Sequence, residues 1–244
     1  MNNNSWFKKE KPMLTLPGLG GGTASNLWKS GNNEGTYIDD IFSTYLYKGS
    51  GTTKTINNGI DLAGVGGMIW LKGRTSQTYD YGHGIHDTVR GKSKNLQTQR
   101  SNGQSEYPNA VTSFNSNGFS MGDVTYNGGT SDYASWTFRK EPGFFDVVTY
   151  GGTGSTAQNI SHNLGSIPGM IIVKRTSSSG NWFVYHRSKG KDYTGMLDAN
   201  NNFYTTTNWD NTEPTSTHFR VKNGDTNDAS STYVAYVFAG GASD

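Results

Sequence analysis

Short apolar segments recur along this chain between clusters of glycine, asparagine, serine and threonine. The clearest are Phe42–Tyr47, Met68–Leu71, Tyr133–Phe138, Phe145–Tyr150, Met170–Val173, Trp182–Tyr185 and Tyr233–Phe238. They alternate with period two or run as brief continuous apolar stretches, and aromatic and β-branched residues dominate them. Asn-Gly and Gly-Gly pairs punctuate the intervals, and no long stretch repeats apolar residues at i, i+3, i+4 and i+7. Strand-length apolar runs separated by turn signals predict an all-β fold of antiparallel β-sandwich, jelly-roll-like architecture.

The segments also repeat. Phe42 to Gly51 matches Phe145 to Gly154 at an offset of 103, and Gly67-Met-Ile-Trp-Leu-Lys72 matches Gly169-Met-Ile-Ile-Val-Lys174 at 102. Gly91 corresponds to Gly190 at 99, Phe119 to Phe219 at 100, and Tyr133–Phe138 to Tyr233–Phe238 at 100. The small drift is what loop insertions and deletions produce. Two tandem modules are therefore expected, at residues 39–140 and 141–244. The segment Arg139-Lys-Glu-Pro-Gly143 is too short for a flexible linker, so the modules should abut. Residues 1–38 fall outside the repeat, and Pro12, Pro17 and the glycine run 18–22 oppose a helix or a central strand. Their apolar anchors Trp6, Phe7, Leu14, Leu16, Leu19, Leu27 and Trp28 suggest an extended assembly arm, with a disordered tail as the alternative.

Composition narrows the function. Asn, Ser, Thr and Gly fill 110 of 244 positions, yet 31 residues are aromatic, which sets the chain apart from disordered sequences. A net charge of +2 provides no field for nucleic acid. No apolar run approaches the roughly 20 residues that span a bilayer, and the N-terminus lacks the apolar core of a secretory signal. With no cysteine, disulfides and cysteine-ligated metals are excluded.

Candidate chemistry is sparse. His83-Gly-Ile-His86 has the only close histidine spacing, but residues i and i+3 of a strand face opposite ways, so a solvated hairpin tip is the stronger reading and no metal site is expected. The run Gly18-Leu-Gly20-Gly-Gly-Thr23 lacks the last glycine of a dinucleotide fingerprint and the lysine of a P-loop. Asp39 and Asp40, placed on a strand, would point to opposite faces and make no glycosidase pair. Asn223–Asp228 resembles a calcium loop without its twelfth-position carboxylate and is better taken as an Asn-Gly hairpin turn. No catalytic residues and no cofactor are expected. A glycan site would use aromatic residues beside amides, and Tyr204, Trp209 and Asn211 have that composition, as does Tyr79-Asp-Tyr81. The stronger reading for Trp209 and Tyr204 is that they cap the sandwich edge or pack against the neighbouring module.

Longer motifs then become recognisable. Phe42-Ser-Thr-Tyr-Leu-Tyr47, Asn57-Asn-Gly-Ile-Asp-Leu-Ala-Gly64, Asp87-Thr-Val-Arg-Gly91, Ser113–Phe119, Ser135–Lys140, His162–Met170, Val184-Tyr-His-Arg187 and Thr232–Ala239 resemble a repeated β domain of tail-fibre-like and structural virion proteins of tailed cyanobacterial phages (cyanophages). The resemblance spans roughly residues 36–239. It implies a non-enzymatic virion protein, most simply a tail-fibre-like or surface-projecting component assembled in the host cytoplasm through its N-terminal arm. Its partners would be other virion proteins and copies of itself, with a trimer favoured for a fibre, and neither nucleic acid nor membrane. The alternatives are a receptor module for host-surface glycan, a capsid decoration protein and a polysaccharide depolymerase.

Overall fold

A computed structural model of the chain describes residues 36–75, 82–122, 125–129 and 131–241. The arm anchors Trp6, Phe7, Leu14, Leu16, Leu19, Leu27 and Trp28, and the tyrosines at 79 and 81, lie outside the described residues.

The fold is all-β. A four-residue helix, α1 (Ile38–Ile41), leads into the first half. Asp39 and Asp40 lie in its first turn rather than on a strand, where carboxylates suit the unpaired backbone N–H groups. The strands that follow are β1 (Phe42–Lys48), β2 (Lys54–Asn57), β3 (Gly67–Gly73), β4 (His83–Asp87), β5 (Lys94–Asn95), β6 (Ser105–Glu106), β7 (Ser113–Asn115), β8 (Gly118–Met121) and β9 (Asp132–Arg139). They form a four-stranded sheet of order β1-β9-β3-β4, a three-stranded sheet β2-β8-β7 and the pair β5-β6.

The second half supplies β10 (Phe145–Gly151), β11 (Gln158–Ser161), β12 (Pro168–Arg175), β13 (Trp182–His186), β14 (Tyr193–Met196), β15 (Tyr204–Thr205), β16 (His218–Val221), the short helix α2 (Gly224–Asn227) and β17 (Thr232–Ala239). Its large sheet runs β10-β17-β12-β13-β14-β15, with the pair β11-β16 opposite. The first four strands of that order repeat those of the first sheet, and every pairing is antiparallel.

Period-two alternation decides what each face meets. In the first half Ile69, Leu71 and Tyr133 point to one side and pack with Ile56, Phe119 and Met121 of the small sheet. In the second, Ile171, Val173, Tyr233, Ala235 and Val237 pack with Ile160, Phe219 and Val221. The intervening residues of the large sheets face each other. Met68 and Ile85 of one meet Phe145, Val147, Ile172, Trp182, Val234 and Tyr236 of the other in a third core. The molecule is two sandwiches packed back to back, each large sheet buried over much of both faces.

A loop from the first half clasps the second. Trp182 Nε1 donates to the carbonyls of Gln97 and Arg100 at 3.2 and 3.1 Å, and the buried Lys174 ammonium donates to Ser101 O at 2.9 Å and Gly180 O at 2.7 Å. The connection between halves is tight, since Glu141 and Phe145 exchange backbone hydrogen bonds of 2.9 and 3.0 Å.

Candidate functional site

The richest cluster of polar side chains lies in the seam between the sheets. Asp87 ends β4 on the inward face, opposite Met68. Its Oδ1 accepts the backbone N–H groups of Val89 and Arg90, which folds the following turn. Its Oδ2 accepts Arg90 Nε at 2.6 Å and the Tyr236 hydroxyl at 2.9 Å, and Arg90 also donates to Tyr236 at 3.0 Å. Asp87 and Arg90 are essentially inaccessible to solvent. Burial disfavours the Arg90 charge, but Tyr236 and Asp87 outweigh it and raise its pKa. Burial, with the Asp87 charge, holds the Tyr236 phenol well above its ordinary value despite the opposing Arg90 charge. A carboxylate with four donors already satisfied is suited to joining the halves rather than to proton transfer.

The two histidines occupy β4, three residues apart on opposite faces, and only one contacts solvent. His86 is fully buried, not at a solvated tip. Its Nδ1 donates to Lys92 O at 2.8 Å, its ring meets Tyr126 edge-on, and burial lowers its pKa to about 4. His83 is partly exposed and accepts the Trp70 indole N–H at Nδ1, 2.8 Å away. Burial first, then the Lys72 charge, lowers its pKa. Trp70 stands edge-on to Trp136, ring centres 6.3 Å apart, and both residues are partly exposed, Trp70 against the rim of the core between the sheets.

The residues considered for glycan separate. Trp209 is buried, packed edge-on against Tyr185 at 5.8 Å, with its indole donating to Tyr193 O at 3.0 Å, so it offers no stacking face and is corrected to a core residue. Asn211 adopts a positive φ of 49° and gives its amide to Asp192 at 2.7 Å. Tyr204 sits on β15, partly exposed. The Asn223–Asp228 segment is not a hairpin turn but the N-capped helix α2. Among the described residues no group of three histidine, aspartate or glutamate side chains could hold a metal ion, and no helix is long and apolar enough to cross a membrane.

Two asparagines organise both halves, Asn127, which was not singled out, and Asn227, which was weighed only as part of the Asn223–Asp228 segment. Asn127 is buried, takes the N–H of Ser50 on its Oδ1 at 3.0 Å and donates to Gly122 O at 2.8 Å. Asn227, one hundred positions later and also buried, takes the N–H of Thr153 at 2.9 Å and donates to Gly154 O and Thr156 O, both at 2.8 Å. Beside them, Tyr47 stacks on Tyr133 at 5.2 Å and Tyr150 on Tyr233 at 5.1 Å. In each pair one hydroxyl reaches the carbonyl just before the asparagine and the other accepts the N–H just after it. Continuing the repeat register of 100 from Phe119 and Phe219 would have located both asparagines.

No curated protein and no solved structure matches the chain. Residues 38–242, which take in both large sheets, the seam and the two asparagine anchors, match a family described as a domain of unknown function (DUF7483), and the chain belongs to that family.

Proposed function

We propose that the protein is a non-enzymatic structural component of a tailed-phage virion, tail-fibre-like or otherwise projecting from the surface, and that residues 1–38 attach it to the particle. The observation that supports this reading is the shared core between the sheets. A hydrophobic seam with a buried polar network makes two tandem modules one stiff body, which suits a spacer that holds its shape while its ends are fixed elsewhere. Deleting residues 1–30 is expected to leave thermal unfolding nearly unchanged and to abolish incorporation into particles. Normal incorporation of the truncated protein would overturn the arm's role, and loss of folding would assign the arm to the first module's own core.

A second reading, host-glycan recognition, draws support from Trp70 and Trp136. Their partly exposed rings, with His83 beside them, are a better place for a sugar face than Trp209. Trp136→Ala is expected to weaken binding to host lipopolysaccharide, whereas Tyr204→Ala leaves it unchanged. Equal binding by parent and Trp136→Ala would reject this surface.

A further inference from the structure

We propose that the outer edge of β1 is a self-association surface, at which a second copy of this chain pairs antiparallel across a two-fold axis and joins two four-stranded sheets into one of eight. The inference goes beyond the assembly reading and stands on edge chemistry alone.

An uncovered strand edge offers a row of backbone donors and acceptors to any extended chain, and native proteins commonly shorten, cover or charge such edges. The other edges of the two large sheets are shortened or closed in part. On β4, Ile85 exchanges backbone hydrogen bonds of 2.7 and 3.1 Å with Leu96. The start of β10 is closed by Glu141, and Asp146 Oδ2 there accepts the N–H of Asn163 at 2.7 Å. The outermost strand of the second sheet, β15, has two residues. β1 and β10 are both seven residues long, but β10 has Glu141 bridged to Phe145 at its start, whereas among the described residues only β9 pairs with β1.

Its side chains also differ from those of a protected edge. Tyr45 and Leu46 are 37% and 60% exposed, in the middle of the strand. Leu46 stands beside Ala134 on the face that carries Trp136 and Trp70, so the apolar surface runs from the sheet interior to its rim. The corresponding strand of the second module, β10, buries Phe145 and Val147 in the seam, whereas the equivalent Phe42 is partly exposed and Thr44 exposed.

Charge selects the occupant. β1 carries exposed Lys48 at its end, and the turn before its start carries exposed Asp39. Antiparallel pairing about a two-fold near Tyr45 brings the Lys48 end of each copy to the Asp39 end of the other. Opposite charges meet twice, and Leu46 is set against Thr44. An open groove of about 770 Å³, lined by Ile38, Asp39, Phe42, Thr44, Asn58 and Gly59, lies at the acidic end and can take the incoming lysine. A parallel partner would instead set like charges together.

The absence of cysteine makes a direct test clean. Tyr45→Cys in the full chain is expected to form a disulfide-linked dimer on mild oxidation, while Thr149→Cys, exposed on β10, stays unlinked. By light scattering the parent is expected to be a dimer. Leu46→Lys should weaken association by at least about tenfold, as an edge lysine does. Lys48→Glu should weaken it too, and adding Asp39→Lys should restore it, because the swap rebuilds both pairs with reversed sign. A parent that is monomeric up to its solubility limit, equal crosslinking at positions 45 and 149, or a charge swap that fails to restore dimers would each overturn the proposal. A dimer that forms normally without particle incorporation would reject the virion reading and leave this one intact.

Discussion

At the level of single residues, most of the consequential side chains are polar groups that the fold has removed from water. Asn227 holds the 153–156 turn through three hydrogen bonds to backbone atoms, two of them donated by one amide nitrogen. Asn227→Ala strips those backbone groups of their partners and is expected to cost about 3 kcal/mol, read from the urea midpoint, with Asn127→Ala close behind. His86 gives a pH signature. Its folded pKa of about 4 lies below the ordinary 6.5, so between those values only the unfolded chain takes up the proton. Stability is therefore retained above about pH 6.5 and falls by about 3 kcal/mol as the pH drops towards 4. His86→Phe should flatten that part of the thermal midpoint profile. The sequence marked His86 only for its spacing from His83, and it marked Asn127 not at all. Asn127 follows a tyrosine within a run of turn formers, and His86 is flanked by Ile85 and Asp87, so local pattern suggested exposure. Of the groups that hold His86, the Lys92 carbonyl comes from the turn that follows its own strand, but Tyr126 comes from a segment 40 positions away.

At the level of elements, period two was enough to find seven strands of the large sheets, because β-branched and aromatic residues on both faces leave a long, visible signal, but it missed β4, β14 and β15, whose histidine, glycine and threonine positions read as turns. It could not say what each face meets. Trp182 and Trp209 are both tryptophans beside asparagine, yet Trp182 opens a strand whose inward face lies in the seam, and Trp209 folds over the end of the second sandwich. The glycan reading of Trp209 failed there: an Asn- and Thr-rich neighbourhood marks a loop but not the direction of a ring. Trp182→Ala empties a large volume and releases two carbonyls of the clasping loop, and is expected to cost about 3–5 kcal/mol. Tyr236→Phe removes only a hydroxyl. It leaves Asp87 and Arg90 each one partner short, which should cost about 1–2 kcal/mol by chemical denaturation. Close approach constrains the turns similarly: a Cβ on Gly49 would lie 2.5 Å from Gly128 O, and one on the equivalent Gly152 would lie 2.0 Å from Asp228 O.

At the level of the whole molecule, the shared seam should make the halves unfold together. Scanning calorimetry is expected to show one transition with matching calorimetric and van't Hoff enthalpies, whereas two separable transitions would mean that the seam contributes little. A fragment of the second half alone would expose Phe145, Val147, Trp182, Val234 and Tyr236 and should bind a hydrophobic dye. What the sequence determined by itself was local and periodic: the all-β class, the positions of the seven long apolar strands of the large sheets and the repeat at an offset near 100, each read from residues close together or at a constant spacing. Tertiary structure alone decided that the sandwiches meet back to back, that Asp87 and Arg90 find Tyr236 about 150 positions away, that Trp209 turns inward and that, among the described residues, β1 pairs on one side only. The physical reason is that side-chain period reports which residues share a face, whereas burial, charge pairing and an open edge depend on which faces long loops bring together.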